Sequence, residues 1–134
     1  MKKKLINVNQ GECVVITQDN HNEMIHAIGL NGDIAFKFLI KEQHIAGLAR
    51  SIKIEDVEKL FGRYKLDQLH TKISIDIVGG DSSEASYKYF EDLISTLERI
   101  DDKGSIFDIT YKVNDDIHPN FCLLIGEELS HDIM

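Results

Sequence analysis

Two cysteines in 134 residues are too few to staple a fold, and a chain of this length builds its own core without them. Reduced thiols in a cytosol-like compartment are therefore expected. Proline is scarcer still, with Pro119 the only one. With no internal repeat, low-complexity tract or linker either, residues 1–134 read as a single domain. Apolar runs last only a few residues, so no segment has the length to span a bilayer as a helix. Positive charge is in deficit: 15 Lys and Arg stand against 23 Asp and Glu, a net charge of −8. That balance argues against a nucleic-acid binder, which needs a basic face to displace counterions. The opening MKKKLINV is basic, but Asn7, Asn9, Gln10 and Glu12 interrupt the apolar stretch that a secretory signal requires. A cytoplasmic protein is expected, a signal-less secreted bacterial protein being the alternative.

What is present is the composition of a globular protein, 43% hydrophobic and 28% charged. Residues 12–17 are apolar and β-branched, the polar run Gln18–Asn22 breaks them, and residues 24–30 resume, a hairpin signal. Residues 34–40 read as a third strand or the start of a helix. Ile54, Val57, Leu60, Phe61 and Tyr64 recur at helical spacing with Gly62 near the end. Residues 73–78 alternate cleanly as a strand and stop at Gly79-Gly80. Asp81 and Glu84 have capping-box spacing, and Ser82-Ser83 offer other caps. Ser86, Phe90, Leu93, Ile94, Leu97 and Ile100 then trace one face of a long amphipathic helix. Residues 106–113 alternate again, and 121–125 with 129–133 make a last strand pair. The expected fold is α+β, a mostly antiparallel sheet system with two main helices against it.

The first hairpin carries chemistry-bearing residues. If Asp19-Asn20 are its two loop residues, Cys13 lies directly opposite His26, with Cβ atoms about 4.5–5.5 Å apart. A four-residue loop, Asp19–Asn22, would make them diagonal neighbours at about 7–8 Å. Either register lets a thiol approach an imidazole, which can take its proton and leave a nucleophilic thiolate. Gly11 allows a sharp turn into the strand, and backbone N–H groups there could form an oxyanion hole. The competing reading is packing: cysteine is among the most buried residue types, and a histidine on an apolar strand face is often a core residue.

GECVVI…MIHAIGL, a Cys strand followed by a His strand, resembles the chemoreceptor glutamine deamidases. ISIDIVGGDSSEASYKYFEDLISTL is similar to the strand, Gly-Gly turn and helix that follow in that fold. It is still more similar to the matching stretch of the protein N-terminal asparagine amidohydrolases, and the same Cys-His core occurs in the cytotoxic necrotizing factor class of toxins. FDITYKV and FCLLIGEELSHDI resemble the closing strands in order and length. The resemblance implies a deamidase architecture and hydrolysis of a Gln or Asn carboxamide on a protein substrate, through a thioester with release of ammonia and with no cofactor. Cys13 would be the nucleophile and His26 the general acid/base. Asn7 stands where those deamidases place a threonine that orients the histidine. Glu12 occupies a position that is usually small, where a carboxylate disfavours a thiolate. These departures leave a second expectation, a non-catalytic protein-interaction domain that keeps the fold.

Other candidates are weaker. His21, His26 and His44 with Glu23 or Glu42 match no compact zinc spacing, so no metal is expected. Gly79-Gly80-Asp81-Ser82-Ser83 opens a helix, but Asp81 can occupy the free N–H groups as a cap, and no lysine follows as in a phosphate loop. Ser82 or Ser83 would contact substrate if that helix end bordered Cys13. Cys122 reads as core and His118 as a loop residue. Partners are expected to be proteins, either as substrate or as binding partner; the sequence gives no oligomeric state.

Overall fold

A computed structural model of the chain describes residues 4–17, 23–28, 33–80, 83–113, 120–125 and 129–132. Nine strands are described: β1 (Lys4–Asn7), β2 (Cys13–Thr17), β3 (Glu23–Ile28), β4 (Ile34–Ile40), β5 (Ile45–Arg50), β6 (Ile73–Gly79), β7 (Phe107–Val113), β8 (Asn120–Ile125) and β9 (Leu129–Asp132). Helix α1 (Ile54–Phe61) lies between β5 and β6, and α2 (Glu84–Ile100) between β6 and β7. The fold is α+β, as expected. The strands form two mixed sheets, ordered β2-β5-β4-β6-β7 and β1-β3-β8-β9. The β6/β7 and β1/β3 pairs are parallel and the other described pairs antiparallel.

The expected first hairpin does not form. β2 pairs with β5, setting Cys13 against Ala49, whereas β3 joins the other sheet between β1 and β8. Both β2 and β3 are too apolar to distinguish a mutual partner from a distant one by pattern alone, and β5 competes for β2. β5 itself, Ile-Ala-Gly-Leu-Ala-Arg, is a strand the sequence pattern does not announce, because alanine and glycine have low strand propensity. It is held by partners on both sides, and Gly47 is needed there. A Cβ at that position would overlap the Phe38 ring on β4.

The five-stranded sheet has apolar residues on both faces. One face, with Phe36, Phe38, Ile73, Ile75 and Ile77, packs against Val57, Leu60 and Phe61 of α1 and Leu93 and Leu97 of α2. An aromatic cluster fills its centre: Phe61 sits 5.2 Å from Phe38 and 5.0 Å from Phe107 between ring centroids. The opposite face, with Ile16, Ala35, Ala46, Leu48 and Val78, meets Val8 and the fully buried Ile25 of β3. The sheet is thus a middle layer between two helices and the second sheet. Strand alternation sorts side chains between the two cores, sending Cys13 and Val15 to the helix side and Val14 and Ile16 to the other.

Among the possible caps of α2, Ser83 is the N-cap, its hydroxyl accepting from the Ser86 N–H at 3.2 Å. Asp81 and Ser82 lie outside the described residues. At the other end, the Asp101 carboxylate accepts from the N–H groups of Ser105, Ile106 and Phe107 at 2.8–2.9 Å, which fixes the entry into β7.

Candidate functional site

Cys13 begins β2 on the helix-side face of the middle sheet, partly buried against the main core. Burial pushes its thiol up to about 11, and the nearby Arg63 guanidinium only partly opposes that shift. Tyr64 is raised as well, by its own burial and then by Cys13. The thiol therefore sits against the chain that follows α1. His26 is carried by β3, in the sheet that packs on the other face, where its backbone partners are Asn7 on β1 and Cys122 on β8. The cross-strand juxtaposition of Cys13 and His26 expected from a hairpin is absent for a topological reason: the middle sheet separates the Cys13 face from the β3 layer. Asn7 and His26 do meet, as register partners in the parallel β1/β3 pair.

Glu12 and Asn7 both serve the turn that leads into β2. The Glu12 carboxylate accepts from the Asn9 N–H at 2.8 Å, and the Asn7 amide donates to the Asn9 side chain at 2.8 Å. Gly11 adopts φ +84° and donates its N–H to the Arg50 carbonyl, while the Arg50 N–H donates to the Glu12 carbonyl at 2.9 Å. Glycine is required by that left-handed backbone, and its N–H is already spent on β5.

This turn delivers a different pair of groups to one another. Arg50, the last residue of β5, places Nε 2.5 Å from Asp33 Oδ2 just before β4, with side chains only 13% and 5% exposed. Arg50 also reaches the Val8 carbonyl at 3.4 Å. The Asp33 carbonyl accepts from the Gly80 N–H at 2.9 Å. Gly79 and Gly80 have φ of +99° and +83°, and a Cβ at Gly79 would collide with the Asp33 carbonyl. The Val-Gly-Gly landmark is thus a close approach of β6 to the start of β4, allowed only without a side chain.

Beside the ion pair opens a cleft of about 250 Å³, bordered by Gln10, Asp33, Ser51, Ser83, Ser86 and Tyr89. Ser51 adds φ +50°, unusual for a residue with a side chain, and its N–H donates to the Ile34 carbonyl. Tyr89 also lines the cleft, its hydroxyl donating to the Ile52 carbonyl at 2.5 Å; burial raises it to about 12. Ser83 therefore borders this cleft. No histidine or cysteine among the described residues lines it, so none of them offers its serines an imidazole. Among the described residues, no three His, Cys, Asp or Glu side chains gather as metal ligands. No helix among the described residues is long and apolar enough to cross a membrane.

Sequence reasoning missed the Asp33–Arg50 pair. The two are seventeen residues apart, one in a turn and one ending an inconspicuous strand, and neither belongs to a motif. The Gly-Gly turn was the available signal, since it marks where the chain must approach another backbone closely. No family model and no curated protein matches this chain.

Proposed function

We propose that this chain is a non-catalytic protein-interaction domain related in fold to the Cys-His deamidases. The observation that carries this reading is the placement of Cys13. Its thiol is packed on the helix side of the middle sheet and raised to about 11, with β3 and His26 in the layer beyond the opposite face. A thiol in that setting stays protonated at neutral pH and is a poor nucleophile. The cleft beside Asp33 and Arg50 offers hydroxyls and a closed ion pair, groups suited to binding rather than to covalent chemistry. The acidic balance of the chain favours partners that carry positive charge.

The test is iodoacetamide labelling of Cys13 across pH in the wild type and in His26→Ala, with Cys122→Ser in both so that one thiol is read. Alkaline-only labelling, identical in the two, is the expected result. Ammonia release from glutamine- and asparagine-containing proteins is measured in parallel and should not exceed the uncatalysed background. Labelling at neutral pH that depends on His26, or ammonia release abolished by Cys13→Ser, would overturn this reading in favour of a Cys-dependent amidohydrolase.

A further inference from the structure

We propose that the outer edge of β7, with the groove between β7 and α2, binds an extended basic segment of a partner protein that joins the middle sheet as a sixth strand. Among the described residues β7 ends that sheet: β6 occupies one side and nothing pairs with the other. Along Phe107–Val113 alternate residues present their N–H and C=O groups to that open side, the Phe107 N–H being already donated to Asp101. A strand adding there gains main-chain hydrogen bonds, and specificity comes from where its alternate side chains fall.

On the helix side they fall into a groove of about 200 Å³ formed by Phe90, Glu91, Ile94, Ser95 and Tyr111. Tyr111 is 59% exposed and leans on Phe90 at 5.1 Å between ring centroids, and Tyr87, one turn earlier on α2, is 55% exposed. These two are the exposed large apolar side chains among the described residues; Tyr111 lines the groove, and Tyr87 precedes its lining residue Phe90 by about one helical turn. An apolar side chain of the incoming strand would cover this surface.

Charge selects the partner. Glu84, Glu91 and Glu98 are exposed and recur every seven residues on α2, in a row about 10.5 Å apart along the helix flank that carries Tyr87 and Ile94. The cations nearest in sequence are turned to other carboxylates, Lys88 to Asp92 at 3.5 Å and Arg99 to Glu58. On the other face of β7, Asp108 is exposed, and the Asp76 carboxylate accepts from the Thr110 hydroxyl. A strand alternating apolar and basic residues places its apolar side chains toward Tyr111 and its cations on the face of Asp108. The glutamate row on α2, on the Tyr111 side, draws a basic segment toward this edge at longer range.

The proposal rests on the reading of the chain as an interaction domain, and the two fail separately. The probe is a fluorescein-labelled decapeptide of alternating lysine and valine, titrated against the full chain by anisotropy. Amide NMR follows Phe107–Val113. Binding is expected to perturb those amides and to weaken by about tenfold or more in Glu91→Lys and in Tyr111→Ser. Both substitutions are at the surface, and their thermal unfolding is checked against wild type. A peptide N-methylated at alternate amides should lose binding to a similar degree. Equal binding of the N-methylated peptide would reduce the effect to charge alone and overturn strand addition. No binding overturns the docking edge while leaving an unreactive Cys13 thiol to stand for itself. Self-association of the chain that Tyr111→Ser abolishes would assign the edge to a second copy instead.

Discussion

Arg50 and Asp33 form a nearly closed ion pair, Nε to Oδ2 at 2.5 Å, at the point where the ends of β5, β4 and β6 converge with the turn before β2. The pair sits at one end of the middle layer, whose central strand also carries the buried Lys37. Asp33 borders the cleft together with Gln10 from the turn and Ser51 from the chain leaving β5.

Removing one member should cost far more than removing both. Arg50→Met or Asp33→Leu alone removes the ion-pair counter-charge of a largely buried group and is expected to destabilise the fold by about 3–5 kcal/mol. The double variant, Asp33→Leu with Arg50→Met, should recover most of that loss, because no charge remains to be solvated. Urea denaturation of the four proteins in a double-mutant cycle checks this. Equal losses that simply add would show that the two side chains do not interact.

Cys13 should shape the alkaline limb of the stability curve. Its thiol is raised in the folded state from 9.0 to about 11, so folding favours the protonated form. The contribution is complete below pH 9, and it is lost as pH rises toward the folded value. At neutral pH the thiolate fraction is about one in ten thousand. Cys13→Ala is expected to lower the melting temperature near pH 7 and to flatten its fall between about pH 9 and 11. A wild-type curve with no alkaline fall in that window would count against the burial of the thiol.

Asp101 should act at the other end of the pH scale. Partial desolvation raises its carboxyl, but the N–H donors of Phe107, Ile106 and Ser105, with Lys72, overcome this and hold it below its ordinary 3.8. A depressed carboxyl stabilises above its unfolded value, and that contribution disappears as pH falls through the folded one. Asp101→Ala should cost roughly 1 kcal/mol at neutral pH, after allowance for solvent screening, and progressively less as pH falls through the depressed folded value. Thermal melts of the two proteins across the acid range should therefore converge.

Gly47 makes a purely steric prediction. Gly47→Ala drives a methyl group into the Phe38 ring, which Phe61 and Tyr64 already confine. A loss of about 1–3 kcal/mol is expected. Adding Phe38→Leu should make the alanine better tolerated than it is on the wild-type background, a coupling readable from the midpoints of denaturant unfolding.

Much of the element list was legible because burial leaves a period in the sequence. The alternation of Ile73, Ile75 and Ile77 marked β6, and the stripe from Phe90 to Leu97 marked α2, since both sets of large apolar side chains face the helix-side core. β5 was not legible: Ala46 and Ala49 are fully buried without being large, and Gly47 is there to make room. The 34–40 run was ambiguous for a related reason. Apart from the buried Lys37 it is apolar on both sides, because β4 lies at the centre of the middle layer.

By itself the sequence determined that this is an acidic α+β domain, that a thiol begins one apolar strand and an imidazole lies on another, and that a Gly-Gly turn precedes a capped helix. Local periodicity and turn chemistry suffice for each of these. Which strand pairs with which is decided by packing over the whole chain, and only the tertiary structure could supply it. It sent β2 to β5 and β3 to a separate sheet, parting Cys13 from the strand of His26, and it closed Asp33 onto Arg50. The physical reason is that apolar strands are interchangeable in pattern. Their partners are chosen by how two cores can be filled at once on either side of one sheet.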